Sequence, residues 1–107
     1  MSGIGRLRHR VRLEAPVTAD DGSGGTTASW NLVTTLWARV EPLSAVERLT
    51  AERLEAAVTH RVTIRHRAGV THRMRFVLGT RVLEIRGIRD LEERHRYLEL
   101  TCEEVSP

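Results

Sequence analysis

The sequence predicts a mainly β fold: a small six-stranded antiparallel β-barrel or sandwich with one short α-helix inserted between strands 2 and 3. Three observations lead to this expectation. Short segments with alternating apolar and polar residues recur along the chain, which is the pattern of half-buried strands. Turns rich in glycine, proline or charged residues separate them. One segment, 45–56, instead repeats its apolar residues at helical spacing. Closing the strands into a barrel would remove exposed sheet edges.

The composition fits one domain, 1–107, with a modest core. Hydrophobic residues make up 40% of the chain, but only one Phe, one Tyr and two Trp are aromatic, so we expect a core of Val, Leu and Ile. The net charge of +3 comes from 17 Arg and no Lys, against 11 Glu and 3 Asp. The absence of lysine has two explanations: a function that needs arginine to bind phosphates or carboxylates, or a GC-rich coding sequence that favours arginine codons. We favour the second explanation. With one cysteine and no long apolar run, we expect a soluble protein made in a cytoplasm.

The first strand is predicted to follow a flexible arm, 1–5, and to end at Pro16. Its apolar positions alternate with a basic stripe of four arginines: Arg6, Arg8, Arg10 and Arg12. Such a stripe indicates a solvated face or a subunit contact, or alternatively a surface for DNA phosphates. The segment 16–29, which includes Asp20 and Asp21, is expected to be a flexible loop that orders against a neighbour. Its glycines match no nucleotide-binding pattern.

The second strand covers 30–41 and stops at Pro42. Trp37 falls on the same alternate set as two charged residues. Its position therefore indicates either a rim or interface or, equally, the core, because tryptophan is often mostly but not fully buried.

The insertion, 43–57, should contain a capped helix over 45–56. Ser44 and Glu47 have the spacing of a capping box. The apolar arc must pack on the sheet or on another subunit, because so short a helix is marginal alone. The arc consists of Val46, Leu49, Leu54 and Ala57. Four charged residues of the helix are candidate subunit or channel contacts: Arg48, Glu52, Arg53 and Glu55.

Four more strands are predicted after the helix, over 58–67, 73–78, 81–88 and 96–105. The turn at Gly79 and Thr80 joins the middle two as a hairpin. The last strand should point Leu98, Leu100 and Cys102 inward.

The sequence carries no recognisable catalytic constellation, and we expect no catalytic, metal or cofactor residues. His60 and His66 share a strand face but lie about 20 Å apart, so they cannot bind one ion. An enzyme would have to depend on residues such as His60, Glu52 or Cys102. A small nucleic-acid-binding β-barrel is the alternative function, although it would normally offer more aromatic residues for base stacking.

Three segments carry a resemblance to a known family: LRHR at 7–10, WARVEPL at 37–43 and THRVTIR at 59–65. With the glycine-rich stretch and the final strands, they resemble the phage head–tail joining family, also called head-closure, head-completion or stopper proteins. The resemblance covers nearly the whole chain and involves no catalytic motif.

The resemblance implies a structural virion protein, found at the neck of a tailed phage, a prophage-derived particle or a gene transfer agent. It implies a ring of about six or twelve copies. The implied partners are a portal or adaptor ring on the head side, a tail terminator or tail tube protein on the tail side, and packaged double-stranded DNA, without a membrane. In relatives the segment corresponding to 43–57 reaches into the channel as a gate. Here it reads as a capped helix, which leaves channel plugging and subunit packing both open.

Overall fold

A computed structural model describes residues 6–20, 22, 24–53 and 57–105. It contains six strands and one α-helix: β1 His9–Asp20, β2 Thr26–Pro42, α1 Ala45–Arg53, β3 His60–Arg65, β4 Arg75–Leu78, β5 Arg81–Asp90 and β6 Tyr97–Val105. A short 3₁₀ turn, Leu91–Glu93, connects β5 to β6. The predicted arm, 1–5, lies outside the described residues. None of the described helices is both long enough and apolar enough to span a membrane.

The strands form a closed antiparallel barrel in the order β1-β2-β3-β6-β5-β4, with β4 returning to β1. The predicted fold class is therefore confirmed. Of the two predicted forms, a barrel and a sandwich, the structure is the barrel. The closing seam between β1 and β4 is short: Arg12, Leu13 and Glu14 face Val77, Phe76 and Arg75. The β1–β2 register shifts between Leu13 and Glu14, where β2 has one extra residue, Val33, that bends β2 and increases its twist.

Inward-facing aliphatic side chains from all six strands fill the barrel, as the alternating pattern predicts. Phe76 is the largest fully buried side chain, and Leu98, Leu100 and Cys102 point inward from β6 as expected. Gly87 lies at a second bulge, opposite Thr101. A Cβ there would collide with the Thr101 hydroxyl, so the close approach of β5 to β6 requires glycine.

The predicted loop over 16–29 is wrong, because β1 runs through Pro16 to Asp20 and β2 already begins at Thr26. Proline is tolerated here because β4 pairs with β1 only as far as Glu14, so β1 beyond that point has one unpaired edge. Residues 15–20 and 26–33 thus form a two-stranded ribbon, which we call the hairpin arm. The molecule measures 53 Å along its longest axis, against 30 and 27 Å across.

The insertion between β2 and β3 leaves and re-enters the barrel at one point. The Leu43 amide donates to the Thr59 carbonyl at 2.9 Å, and the Thr59 amide donates to the Cys102 carbonyl at 2.8 Å. The predicted capping box is present: the Glu47 amide donates to Ser44 Oγ at 3.2 Å, and the Ser44 amide donates to Glu47 Oε1 at 3.0 Å. The described part of α1 ends at Arg53, and the predicted helical residues 54–56 lie outside the described residues.

Candidate assembly surfaces

The four arginines of the basic stripe are all exposed, but two of them have partners. Arg10 places its guanidinium 4.9 Å from the centre of the Trp37 ring, which is its register partner on β2. Arg12 binds Glu14 at 3.1 Å. The stripe is therefore partly organised by neighbouring side chains and partly open to a partner.

Trp37 belongs to a row of arginine and aromatic residues that crosses the outer barrel wall. The wall alternates along β1, β2, β3 and β6 as Arg10, Trp37, Arg65 and Tyr97, because Arg10 pairs with Trp37 and Arg65 pairs with Tyr97. Arg65 lies 5.9 Å from the Tyr97 ring centre. Trp37 is 51% exposed. Of the two positions that the sequence allowed, the core is therefore excluded and the rim or interface remains. We call these four residues the arginine–aromatic row.

A shallow hollow of about 440 Å³ lies beside the row on the outer faces of β2, β3, β5 and β6. Ion pairs hold its floor: Arg39 to Glu41 at 3.2 Å, Arg61 to Glu41 at 3.8 Å and Arg61 to Glu99 at 3.5 Å. Arg89, Arg94 and Arg96 line its side. Its lining holds five arginines against three glutamates, so its excess charge is positive and suits an acidic partner.

The helix is attached to this wall by charge rather than by packing. Arg61 on β3 contacts the Glu47 carboxylate, and the pKa of Glu47 is lowered by its bonds to the Ser44 amide, to Arg61 and to the Ser44 hydroxyl. None of the described helix residues is buried. Val46 is 75% exposed and Leu49 is 53% exposed. The described members of the expected apolar arc, Val46, Leu49 and Ala57, are therefore exposed and do not pack on this chain's own sheet, whereas Leu54 lies outside the described residues.

The remaining predicted contact residues divide into two groups. Arg48, Glu52 and Arg53 lie exposed on α1, and their role as contacts stays a prediction. Asp20 is the last residue of β1, at the far end of the hairpin arm, whereas Asp21 and Glu55 lie outside the described residues. The arm also exposes Leu32 at 57% and Val33 at 41%, which the sequence did not single out.

Two of the residues considered for catalysis, Cys102 and His60, are held in place by the fold. Burial in the barrel raises the pKa of Cys102 to about 12, so the thiol stays protonated at neutral pH and is a poor nucleophile. His60 lies next to Cys102 in the ladder, but its two ring nitrogens already contact Thr59 Oγ1 at 2.8 Å and Arg81 at 3.2 Å. Glu52 lies exposed on the helix.

Sequence reasoning did not find the charged hollow or the arginine–aromatic row. Each is assembled from strands distant in the chain, and only the order β1-β2-β3-β6-β5 brings them together. The outward charged positions Arg39 and Glu41 on β2, Arg61 on β3 and Glu99 on β6 were visible, and they would have indicated the hollow once that order was known. Reasoning from spacing along one strand also missed a cluster formed by His66, Asp90 and His95.

A comparison with known protein families identifies the family of the chain that carries these surfaces. The family model described as phage head completion protein matches residues 3–105, which is nearly the entire chain. The chain belongs to the phage head completion protein family.

Solved structures agree with the fold of this head completion protein. Protein SF1141 from Shigella flexneri 2a, determined in solution, is 31% identical and superposes with a TM-score of 0.77, covering 95% of this chain and 96% of that one. A chain from the virion of a native gene transfer agent particle is 22% identical with a TM-score of 0.67, covering 96% of this chain and 99% of that one. No curated protein sequence gives a significant match.

Membership gives this head completion protein a structural role in closing the phage head. The predicted family is confirmed by the match over 3–105. A structural role in a virion also agrees with the surroundings of Cys102 and His60, which hold these side chains in the fold.

Proposed function

We propose that this head completion protein forms a homo-oligomeric ring at the head–tail neck, where it closes the DNA-filled head and docks the tail. The observation that carries the proposal is the exposure of Val46 and Leu49 on a capped helix that no part of the described chain covers. Apolar side chains on a short helix gain stability only when another surface buries them. A ring supplies that surface, because each subunit presents two different faces to its neighbours.

We assign the helix to the contact between adjacent subunits. Val46 and Leu49 lie within one arc at helical spacing, and Arg48 lies away from it. Burying the arc against the next subunit would leave the charged side facing the channel. The Arg61–Glu47 contact then sets the direction in which the helix leaves the barrel.

The helix assignment is tested with the double variant Val46→Ser and Leu49→Ser. Since both side chains are exposed, we expect the melting temperature of the isolated chain to stay unchanged. Neck assembly and the yield of DNA-retaining particles should fall at least about tenfold, because the subunit contact loses its apolar anchors. Ala51→Ser, on the opposite side of the helix, is the matched control and should assemble normally. Normal assembly by the double variant, or by a chain lacking 44–57, would refute the assignment.

The hairpin arm is proposed to reach the adjoining ring rather than the next subunit of its own ring. It extends beyond Glu14, where β1 no longer pairs with β4, and it exposes Leu32 and Val33. It places Asp20 at its far end. Such an arm suits the portal or adaptor ring on the head side, or the tail terminator or tail tube protein on the tail side.

The basic stripe is proposed to contact packaged DNA through phosphates alone. Arg6 and Arg8 are exposed, and neither holds an ion pair with an acidic residue in the described structure. Trp37, framed by Arg10 and Arg65, is the feature that would suit the alternative, a barrel that binds single strands by base stacking. Titration of the isolated chain with single-stranded DNA separates the two: weak binding is expected, whereas sub-micromolar binding with a steep salt dependence would favour the alternative.

The position in the particle is tested by electron microscopy of purified virions. We expect density for a ring of about six or about twelve barrels between head and tail. Density for this chain at any other place in the particle would contradict the proposed function. The same images distinguish a phage from a gene transfer agent particle by the size and content of the head.

A further inference from the structure

One end of the barrel carries a cluster of two histidines and a carboxylate that the proposed function does not use. His66 follows β3, Asp90 ends β5, and His95 lies in the turn before β6. Their nitrogen and oxygen atoms all lie within 4.8 Å of one another.

The separations of these atoms match the edges of a metal coordination sphere. His95 Nδ1 lies 3.2 Å from His66 Nε2 and 3.1 Å from Asp90 Oδ2. His66 Nε2 lies 4.0 Å from Asp90 Oδ2. Ligand atoms at about 2.0–2.1 Å from a tetrahedral zinc are about 3.3 Å apart. Two edges therefore fit already, and the third requires a movement of under about 1 Å.

Hydrogen bonding alone satisfies this cluster poorly. A neutral imidazole has one donor and one acceptor nitrogen. If His95 Nδ1 donates to Asp90, it has no lone pair left for His66 Nε2. If it accepts from His66, it faces the carboxylate with no proton. A metal ion would use the lone pairs of all three groups.

The backbone already holds two of the groups in place. Both Asp90 carboxylate oxygens accept a bond from the His95 amide, at 3.1 and 3.2 Å. The His66 amide donates to the Arg96 carbonyl at 2.9 Å, which ties the end of β3 to the turn. His95 has a φ of 57°, a left-handed conformation that costs a non-glycine residue free energy. Glu92 and Glu93, in the same turn, have φ of 59° and 54°, so the strained backbone extends over the turn that brings the side chain of His95 to its two partners.

We propose that His66, Asp90 and His95 form a site for a divalent transition metal, with zinc as the best match, which clamps the β5–β6 turn to the end of β3. Two imidazoles and one carboxylate are ligands that zinc accepts, with water completing the fourth position. The His95 side chain is 75% exposed, so an ion can enter and the ring can adjust. Arg65 and Arg96 line the adjoining cavity of about 400 Å³, and their charge limits the affinity to a moderate one.

The site is tested by titrating the full chain, without an affinity tag, with cobalt followed by visible absorption and with zinc followed by calorimetry. We expect one ion per chain, a tetrahedral cobalt spectrum and a higher melting temperature with zinc. His95→Gln should weaken binding at least about tenfold, because one ligand is lost. His72→Gln is the matched control, since it is also exposed and lies outside the cluster, and it should bind as the wild type does.

Asp90→Asn provides a second variant that keeps an acceptor for the His95 amide while removing the ligand charge. It should fold, as judged by circular dichroism, and bind zinc more weakly. The proposal is overturned if the wild type binds no ion, or if His95→Gln binds as tightly as His72→Gln. Because the isolated chain is used, these outcomes do not depend on whether the ring proposal is correct.

Discussion

Glu14 lies almost buried at the barrel seam, and its carboxylate binds two arginines from different strands. Arg75 on β4 contacts it at 2.9 Å, and Arg12 on β1 contacts it at 3.1 Å. Arg75 also lies 4.0 Å from the Trp30 ring centre, so the carboxylate holds that guanidinium at the root of the hairpin arm. This group of residues connects the seam to the arm.

Replacing Glu14 with Gln should lower the free energy of unfolding by about 1–3 kcal/mol, because a buried amide replaces charge-assisted bonds and leaves Arg75 poorly paired. The Arg12 side chain is 56% exposed, so its contact with Glu14 is worth much less. Arg12→Gln is therefore the control, with an expected loss below about 0.5 kcal/mol. Urea denaturation measures both values, and equal losses in the two variants would show that the buried pair is not the important one.

His60 provides a pH dependence whose sign follows from its surroundings. Burial lowers the pKa of His60 most, Arg81 and Arg48 lower it further, and Glu104 raises it. The unfolded chain, with a pKa near 6.5, therefore takes up this proton more readily than the folded chain does. The contribution of His60 to stability is complete above about pH 6.5 and is lost as the pH falls below that value.

Urea denaturation at about pH 7.5 and about pH 5.5, with a chelator present, checks this dependence. The wild type should lose stability on acidification, and His60→Gln should lose less. His72→Gln, which removes an exposed histidine, should keep the wild-type slope. A His60→Gln slope equal to that of the wild type would contradict the assignment.

At the scale of elements, the capping box acts on the helix alone. Ser44→Ala removes the acceptor for the Glu47 amide, which costs a helix about 1 kcal/mol. Because none of the described helix residues is buried, we expect the barrel to keep its stability while amide exchange in α1 accelerates several-fold. Hydrogen exchange with mass spectrometry resolves the two regions. A large loss of global stability would show that the helix supports the barrel directly.

The elements also show where sequence reasoning succeeded and failed. Strict alternation located β1, β3 and β6 because one face of each strand is buried and the other is not. The strand end at Pro16 was wrong because a proline rule for central strands does not apply to a ribbon with an unpaired edge. The helix cap was predictable from Ser44 and Glu47, since both partners lie within one turn. The exposure of Val46 was not predictable, since it depends on the helix lying away from this chain's own barrel.

At the scale of the whole molecule, the sequence indicated a barrel without indicating its order. The β1–β4 seam joins Leu13 to Phe76 across most of the first two-thirds of the chain, and no local pattern encodes that pairing. The same reason hides the Glu14–Arg75 pair, the charged hollow and the cluster at His66. Each depends on strands that meet only after closure. Core positions, in contrast, follow from period alone and are independent of strand order.

The hydrogen bond between Leu43 and Thr59 has a consequence for how such a chain can change over time. It holds the two ends of the insertion together whatever residues lie between them. The insertion is therefore a segment that can be lengthened, shortened or exchanged. Doubling the length of a flexible loop costs only about 0.6 kcal/mol in closure entropy. A related chain could therefore acquire a new contact segment at this point while its barrel stays the same.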